Sequence, residues 1–389
     1  MARRTTALIL AVLFLSVSCG GDAGRTQSTP SAGARPSPSP TPDCAQRIFA
    51  RLTPTQRIGQ LIFLGLANNQ LGPAEKAAIQ TDGVGSVWFT EFSNAPATSV
   101  AAVSAQVQAL ASPATSGIGF LIAANQEGGQ IDQFQGPGFS PIPSALQQGT
   151  EDPSALESQA ATWGTQLRAA GINLNFAPVM DTVPPGQDQS NAPIGALQRE
   201  YGHDPDTVSA HGLAFIRGMH RSNVLVTAKH FPGLGRVTAN TDFSAGAVDS
   251  TTIATDSYLT PFQDAVTAGT DLVMVSTATY TKIDPQHLAV FSPAVIGLLR
   301  NQMNFGGVVV SDDLGSAAAV ASIPPGDRAV NFIAAGGDLI VIKTTDPVPQ
   351  MVAALSSRAA GDPVFGNQVN MAVKRVLQLK IRAGLVNCG

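Results

Sequence analysis

Val308-Val309-Val310-Ser311-Asp312-Asp313 is the stretch that decides the fold. Three β-branched residues in a row suit a strand covered on both faces. Acids at the end of such a buried strand cost desolvation free energy unless something uses them. The same plan recurs along the chain. Short β-rich, mostly apolar runs occupy residues 58–66, 85–89, 119–124, 173–178, 224–229, 272–277, 308–312 and 339–343. Helix-like stretches lie between them at 96–111, 152–170, 205–221, 252–268, 293–303 and 326–335, and an amphipathic helix covers about 367–383. Eight β units alternating with helices predict an α/β fold, a single-domain (β/α)8 barrel of the TIM type. A doubly wound sheet has about five to seven strands and fits less well.

The polar residues agree with that plan. Asn125-Gln126-Glu127 follow the third run and Asp181 the fourth. Lys229-His230 end the fifth, Ser311-Asp312-Asp313 the seventh, and Lys343 the eighth. In a parallel barrel, chemistry gathers at the C-terminal ends of the strands.

Outside the barrel, the first residues read as an export signal. Arg3 and Arg4 precede an apolar run at 7–17, broken only by Ser16, and Ser18-Cys19-Gly20 follow. The run is too short to span a bilayer, which takes about twenty helical residues. A small residue directly before Cys19 fits a bacterial lipoprotein cleavage site, although Leu15 stands one place early. The other reading is a plain secretory signal cleaved nearby. Residues 1–19 are thus expected to be a lipoprotein signal peptide, with Cys19 lipidated. Residues 20–43, ending in Pro-Ser-Pro-Ser-Pro-Thr-Pro, form a Pro/Ser-rich tether without an apolar face. Residues 44–389 form the folded domain. The expected location is outside the cytoplasm, anchored to the cell membrane by lipid and facing the cell wall. Export permits disulfides, and the first and last elements of a barrel are neighbours, so Cys44 and Cys388 are expected to pair.

Net charge is −4, and no basic stripe or run is present, which argues against nucleic acid as a partner. His203, His211, His220 and His287 show no metal-ligand spacing such as two His at i and i+4, so no metal is expected. No glycine-rich phosphate loop is present, so no nucleotide cofactor is expected. A monomer is the default.

The most specific motif is Lys229-His230-Phe231-Pro232-Gly233-Leu234-Gly235. A Lys and a His at a strand end precede a tight, slim turn. Alone, the Lys would also suit a Schiff-base lyase. Four further segments narrow the choice: Asn125 to Gly129, Gly171 to Asp181, Arg199-Glu200-Tyr201-Gly202-His203-Asp204-Pro205, and Val310-Ser311-Asp312-Asp313-Leu314. In this order and at these spacings they resemble the N-acetylglucosaminidase branch of glycoside hydrolase family 3, over about residues 50–384.

The resemblance implies a retaining β-glycosidase acting on terminal β-linked N-acetylglucosamine or glucose-type sugars in cell-envelope glycans. Asp312 stands at the family's nucleophile, whose carboxylate forms a covalent glycosyl-enzyme. Lys229, His230 and Arg199 match residues that contact sugar hydroxyls, and Asn125 and Glu127 fall in the same substrate-binding set. A nearby Lys229 is expected to favour the charged form of Asp312. Asp313 is expected to cap backbone amides of its loop.

The sequence departs from the family in the pocket itself. Counting without gaps from Gly235 puts Asn240, Thr241 and Asp242 where the family has Asp, Ser or Thr, and the His that serves as acid/base. Leu234 replaces another His. Asn125 replaces a sugar-binding Asp, Gln133 an Arg, and Ser276-Thr277-Ala278 occupies a place where a His is frequent. Two readings follow. In one, Asp242 is the general acid/base, as a carboxylic acid is in most glycosidases, with its pKa raised by burial, a closing loop or Asp312. In the other, the acid is lost and the chain is a catalytically weakened glycan-binding lipoprotein.

Overall fold

The computed structural model describes residues 43–388. The expectations for the signal peptide, for Cys19 and for the tether up to residue 42 lie outside the described residues.

Eight parallel strands form the wall of a barrel: β1 (Ile62–Leu66), β2 (Ser86–Phe89), β3 (Leu121–Ala124), β4 (Leu174–Asn175), β5 (Leu225–Phe231), β6 (Leu272–Val275), β7 (Val308–Ser311) and β8 (Ile340–Ile342). The hydrogen-bonded order is β7-β6-β5-β4-β3-β2-β1-β8. A parallel bridge from Val310 to Leu339 joins the two ends, and Ser311 N–H donates to Leu339 O at 2.9 Å. The ring therefore closes, as the alternation of elements predicts. All eight strands are buried along their whole length. Burial on both faces is the reason their sequences run apolar without alternation.

The first expected strand begins too early. Pro54–Gly59 is a helix, because Thr53 and Gln56 form a reciprocal capping box ahead of it. The fourth strand is shorter than its apolar run. Side-chain amides extend its pairing instead: Asn173 Oδ1 accepts from Ile122 N–H at 2.8 Å, and Asn175 Oδ1 accepts from Gln126 N–H at 3.0 Å.

The helices at Pro153–Ala169, Pro205–Arg221 and Pro363–Arg382 each start at an Asp-Pro pair. Asp152, Asp204 and Asp362 accept first-turn amides, and the proline fills a position needing no donor. The expected helix at 293–303 holds α geometry over Pro293–Gly297, and its last residues, Leu298–Gln302, widen to the looser i+5 pattern. Besides Pro54–Gly59, the helices Cys44–Arg51, Pro73–Asp82, Ala145–Gln148 and Val348–Gly361 lie outside the expected ones.

Cys44 and Cys388 are joined, with Cα atoms 5.5 Å apart across 344 positions of sequence. Such closure typically stabilises a domain by about 2–4 kcal/mol. Within the barrel, Phe176 packs on Phe63 and Trp88, with ring centroids 5.1 and 6.1 Å away. These rings form part of the packed base on which the polar site rests. Among the described residues, no helix is long and apolar enough to cross a membrane.

Candidate active site

A cavity of about 510 Å³ opens where β3, β5, β7 and β8 deliver the residues that follow their C-terminal ends. Asn125, Glu127, Arg199, Lys229, His230, Asp242 and Asp312 all line it. The structure thus brings together every sequence-predicted catalytic and sugar-binding residue.

Two cations converge on one buried acid. Glu127 is only 4% exposed. Its Oε1 lies 2.6 Å from Lys229 Nζ and accepts from Arg199 Nη2 at 2.8 Å, and its Oε2 accepts from Arg199 Nε at 2.8 Å. Burial pushes the Glu127 carboxyl up, but Arg199 and Lys229 outweigh it and leave the pKa at about 2. Burial pulls the Lys229 ammonium below its ordinary value, while Glu127 opposes that pull. Lys229 also donates to Asn125 Oδ1 at 2.9 Å. Its direct partners are thus Glu127 and Asn125, and the Asp312 charge acts on it as a further, weaker attraction. Glu127 itself has both oxygens occupied, so it anchors the two cations.

Glu127→Gln leaves two buried positive charges with one neutral partner. Breaking a buried ion pair costs about 3–5 kcal/mol. The variant should unfold at lower urea concentration and show a raised KM for substrate. A parent-like midpoint together with a parent-like KM would show that the cations need no counter-charge.

His230 is fixed from behind. Its Nδ1 lies 2.8 Å from Asp181 Oδ2, and Asp181 also accepts the backbone N–H groups of His230 and Leu234. A carboxylate that accepts throughout makes Nδ1 the donor, so Nε2 is turned toward Arg199 at 3.5 Å. The following loop presses against the barrel. A Cβ at Gly235 would stand 1.8 Å from Thr182 O, so no side chain fits there. Asp181 is the residue that sequence reasoning left without a role. Its signals are an acid at a strand end and its place closing the segment Gly171 to Asp181.

Asp312 stands at the end of β7, where its N–H donates to Val275 O at 3.0 Å. Asp313 behaves as expected. Its Oδ1 accepts from Gly315 N–H at 2.7 Å and from Lys343 N–H at 3.2 Å, and its Oδ2 accepts from Ser316 N–H at 3.1 Å. Asp242 comes from the loop after β5, and two backbone bonds tie that loop to the one after β7. Ala318 N–H donates to Asp242 O, and Ala319 N–H to Thr241 O, both at 3.1 Å. Asn240 Oδ1 accepts from Asp242 N–H at 2.9 Å, which fixes the turn. The Asp242 side chain reaches solvent at the mouth, yet protein surrounds much of it. Burial, then the charges of Asp312 and Asp313, push its pKa up to about 6.

The other departures from the family pattern also have defined places. Gln133 Oε1 accepts from Asn125 N–H at 2.7 Å, and its Nε2 donates to Phe89 O at 2.7 Å. It therefore ties the strand ends beneath Asn125. Leu234 is buried, and Ser276 Oγ lies 3.2 Å from the Tyr280 hydroxyl. Trp88 donates its indole N–H to Ile342 O at 3.1 Å while its ring lines the cavity. Phe92 and Phe243 stand exposed at the rim, 63% and 85% open, and had no warning in the sequence.

The family model described as the glycosyl hydrolase family 3 N terminal domain matches residues 53–379. A β-hexosaminidase of Stenotrophomonas maltophilia is 32% identical over 311 residues, covering 77% of this chain and 88% of that one. The solved β-N-acetylhexosaminidase of Beutenbergia cavernae is 46% identical with a TM-score of 0.83, covering 85% of this chain and 99% of that one. A family 3 β-N-acetylglucosaminidase from a Paenibacillus species is 28% identical with a TM-score of 0.78, over 86% of this chain and 63% of that one.

Proposed function

The chain belongs to glycoside hydrolase family 3, and from that membership we propose a retaining β-glycosidase that releases terminal N-acetylglucosamine-type sugars from envelope glycans. Its relatives' names point to the amino sugar. The observation that carries the mechanism is that Asp312 and Asp242 face one cavity and their charges act on each other. Asp312 attacks the anomeric carbon and Asp242 protonates the departing oxygen. The oxocarbenium-like transition state collapses to a glycosyl ester on Asp312. Asp242, now ionised, takes a proton from water, and that water cleaves the ester with net retention. Arg199, Lys229, His230 and Asn125 hold the sugar hydroxyls. Burial first, and then the charges of Asp312 and Asp313, raise the Asp242 pKa and so favour its proton-donating form.

In this reading the enzyme is a monomer exported and held at the membrane by lipid on Cys19, and partition into detergent micelles checks that anchor. A panel of 4-nitrophenyl β-glycosides tests the activity. Hydrolysis is expected for the N-acetylglucosaminide, with the β-anomer of the sugar appearing first by NMR. A chain that binds chitin oligosaccharides yet turns over no glycoside of the panel would favour the weakened glycan-binding reading.

A further inference from the structure

We propose that Asp188, Glu200 and His203 form a binding site for a divalent cation of the zinc type, beside the catalytic cavity and separate from it. One ligand atom from each residue lies within 4.8 Å of the others. None of the three lines the cavity. Asp188 opens a short 3-10 turn in the loop after β4, Glu200 directly follows Arg199, and His203 precedes the helix at Pro205–Arg221. The sequence expectation of no metal rested on helical His spacing, and a loop site has none.

Glu200 is the observation that points to a ligand. It is 0% exposed, and neither of its carboxyl oxygens has a hydrogen-bond partner. Asp188 Oδ1 likewise has none. Buried acids are ordinarily paired with a donor, a counter-charge or a metal. No Lys or Arg is paired with Glu200 or Asp188 among the described ion pairs; the one basic group within ion-pair distance of either is His203, whose Nδ1 lies 3.5 Å from Asp188 Oδ1. With no cation bound, burial and then the Asp188 charge push the Glu200 carboxyl up to about 7. His203 and Asp188 side chains remain about one-third exposed, which leaves an entry path.

The donor set selects the ion. Two carboxylates and an imidazole suit Zn²⁺ with a water in the fourth position, better than the all-oxygen sites of Ca²⁺ or Mg²⁺. Ligands at about 2.1 Å around a tetrahedral ion stand roughly 3.4 Å apart, so the side chains need only a modest inward shift. A cation there would join the middle of the loop to its end, next to Arg199. Arg199 faces the cavity and Glu200 the opposite side, so the ion would brace the backbone that seats the guanidinium.

The test is titration of the EDTA-treated protein with zinc chloride by calorimetry, repeated with Co²⁺ while recording its visible absorption. Active-site carboxylates are the competing location, so Asp312→Asn is the control. The parent and Asp312→Asn should each bind one equivalent, with tetrahedral Co²⁺ bands. Glu200→Gln, His203→Ala and the partly exposed Asp188→Asn should each weaken binding at least roughly tenfold. Circular dichroism selects the variants that are folded. The proposal is overturned if the parent shows no saturable binding. It is equally overturned if binding survives in the folded site variants, or if Asp312→Asn alone abolishes it.

Discussion

Asp312→Asn should lower kcat by about four orders of magnitude or more on every glycoside the parent hydrolyses, because it removes the atom that bonds to the sugar. The substitution changes one oxygen for an amide nitrogen. The Asp312 N–H bond to Val275 O and the Asp313 caps are made by the backbone and by the neighbouring residue, so the fold should persist. Unchanged thermal unfolding alongside lost turnover is therefore the expected pattern. A 2-fluoro glycoside, which slows the second step, should leave a sugar on the parent that peptide mass spectrometry locates at Asp312. A label on another carboxylate, or a variant keeping more than about a hundredth of the parent rate, would remove Asp312 from the nucleophile's place.

What could be read ahead of the structure follows from how far apart the deciding residues lie. The eight strands were legible because burial on both faces leaves an apolar run that needs no partner to recognise. Pro73–Asp82 was not, since its buried face consists of only Glu75, Ala78 and Ile79 and leaves no apolar stripe to recognise. Strand ends announced Asp312, Lys229 and His230 by placing charge where burial is expensive. Their pairing was hidden. Glu127 meets Arg199 across 72 positions, and Lys229 meets Asn125 across 104. No local pattern encodes such contacts, so the sequence gives no sign that Glu127 holds Arg199 and Lys229 together. Gln133 looked like a lost arginine, yet its amide holds both the Asn125 amide and the Phe89 carbonyl. The position of Asp242 could be counted from Gly235, but its surroundings depend on the loop around Ala318.

Asp242→Asn separates the two readings of that loop through the leaving group. An asparagine cannot donate a proton to a departing alkoxide, so unactivated β-linked sugar disaccharides should lose about 10²- to 10⁴-fold in kcat/KM. 4-Nitrophenolate leaves without help, so formation of the glycosyl-enzyme from that substrate should change little. Its hydrolysis also needs Asp242, as a base. The ester should then accumulate, with kcat and KM falling together. Azide needs no deprotonation and should restore kcat while yielding the β-glycosyl azide. The pH dependence supplies a second reading. The acid works only when protonated, and burial with the Asp312 and Asp313 charges holds its pKa at about 6. Parent kcat/KM on an unactivated substrate should therefore fall as pH rises through about 6, and the variant should lose that limb. If both the limb and the disaccharide rate survive the substitution, the proton comes from elsewhere, and the exchange of His for Asp in this loop has no catalytic meaning.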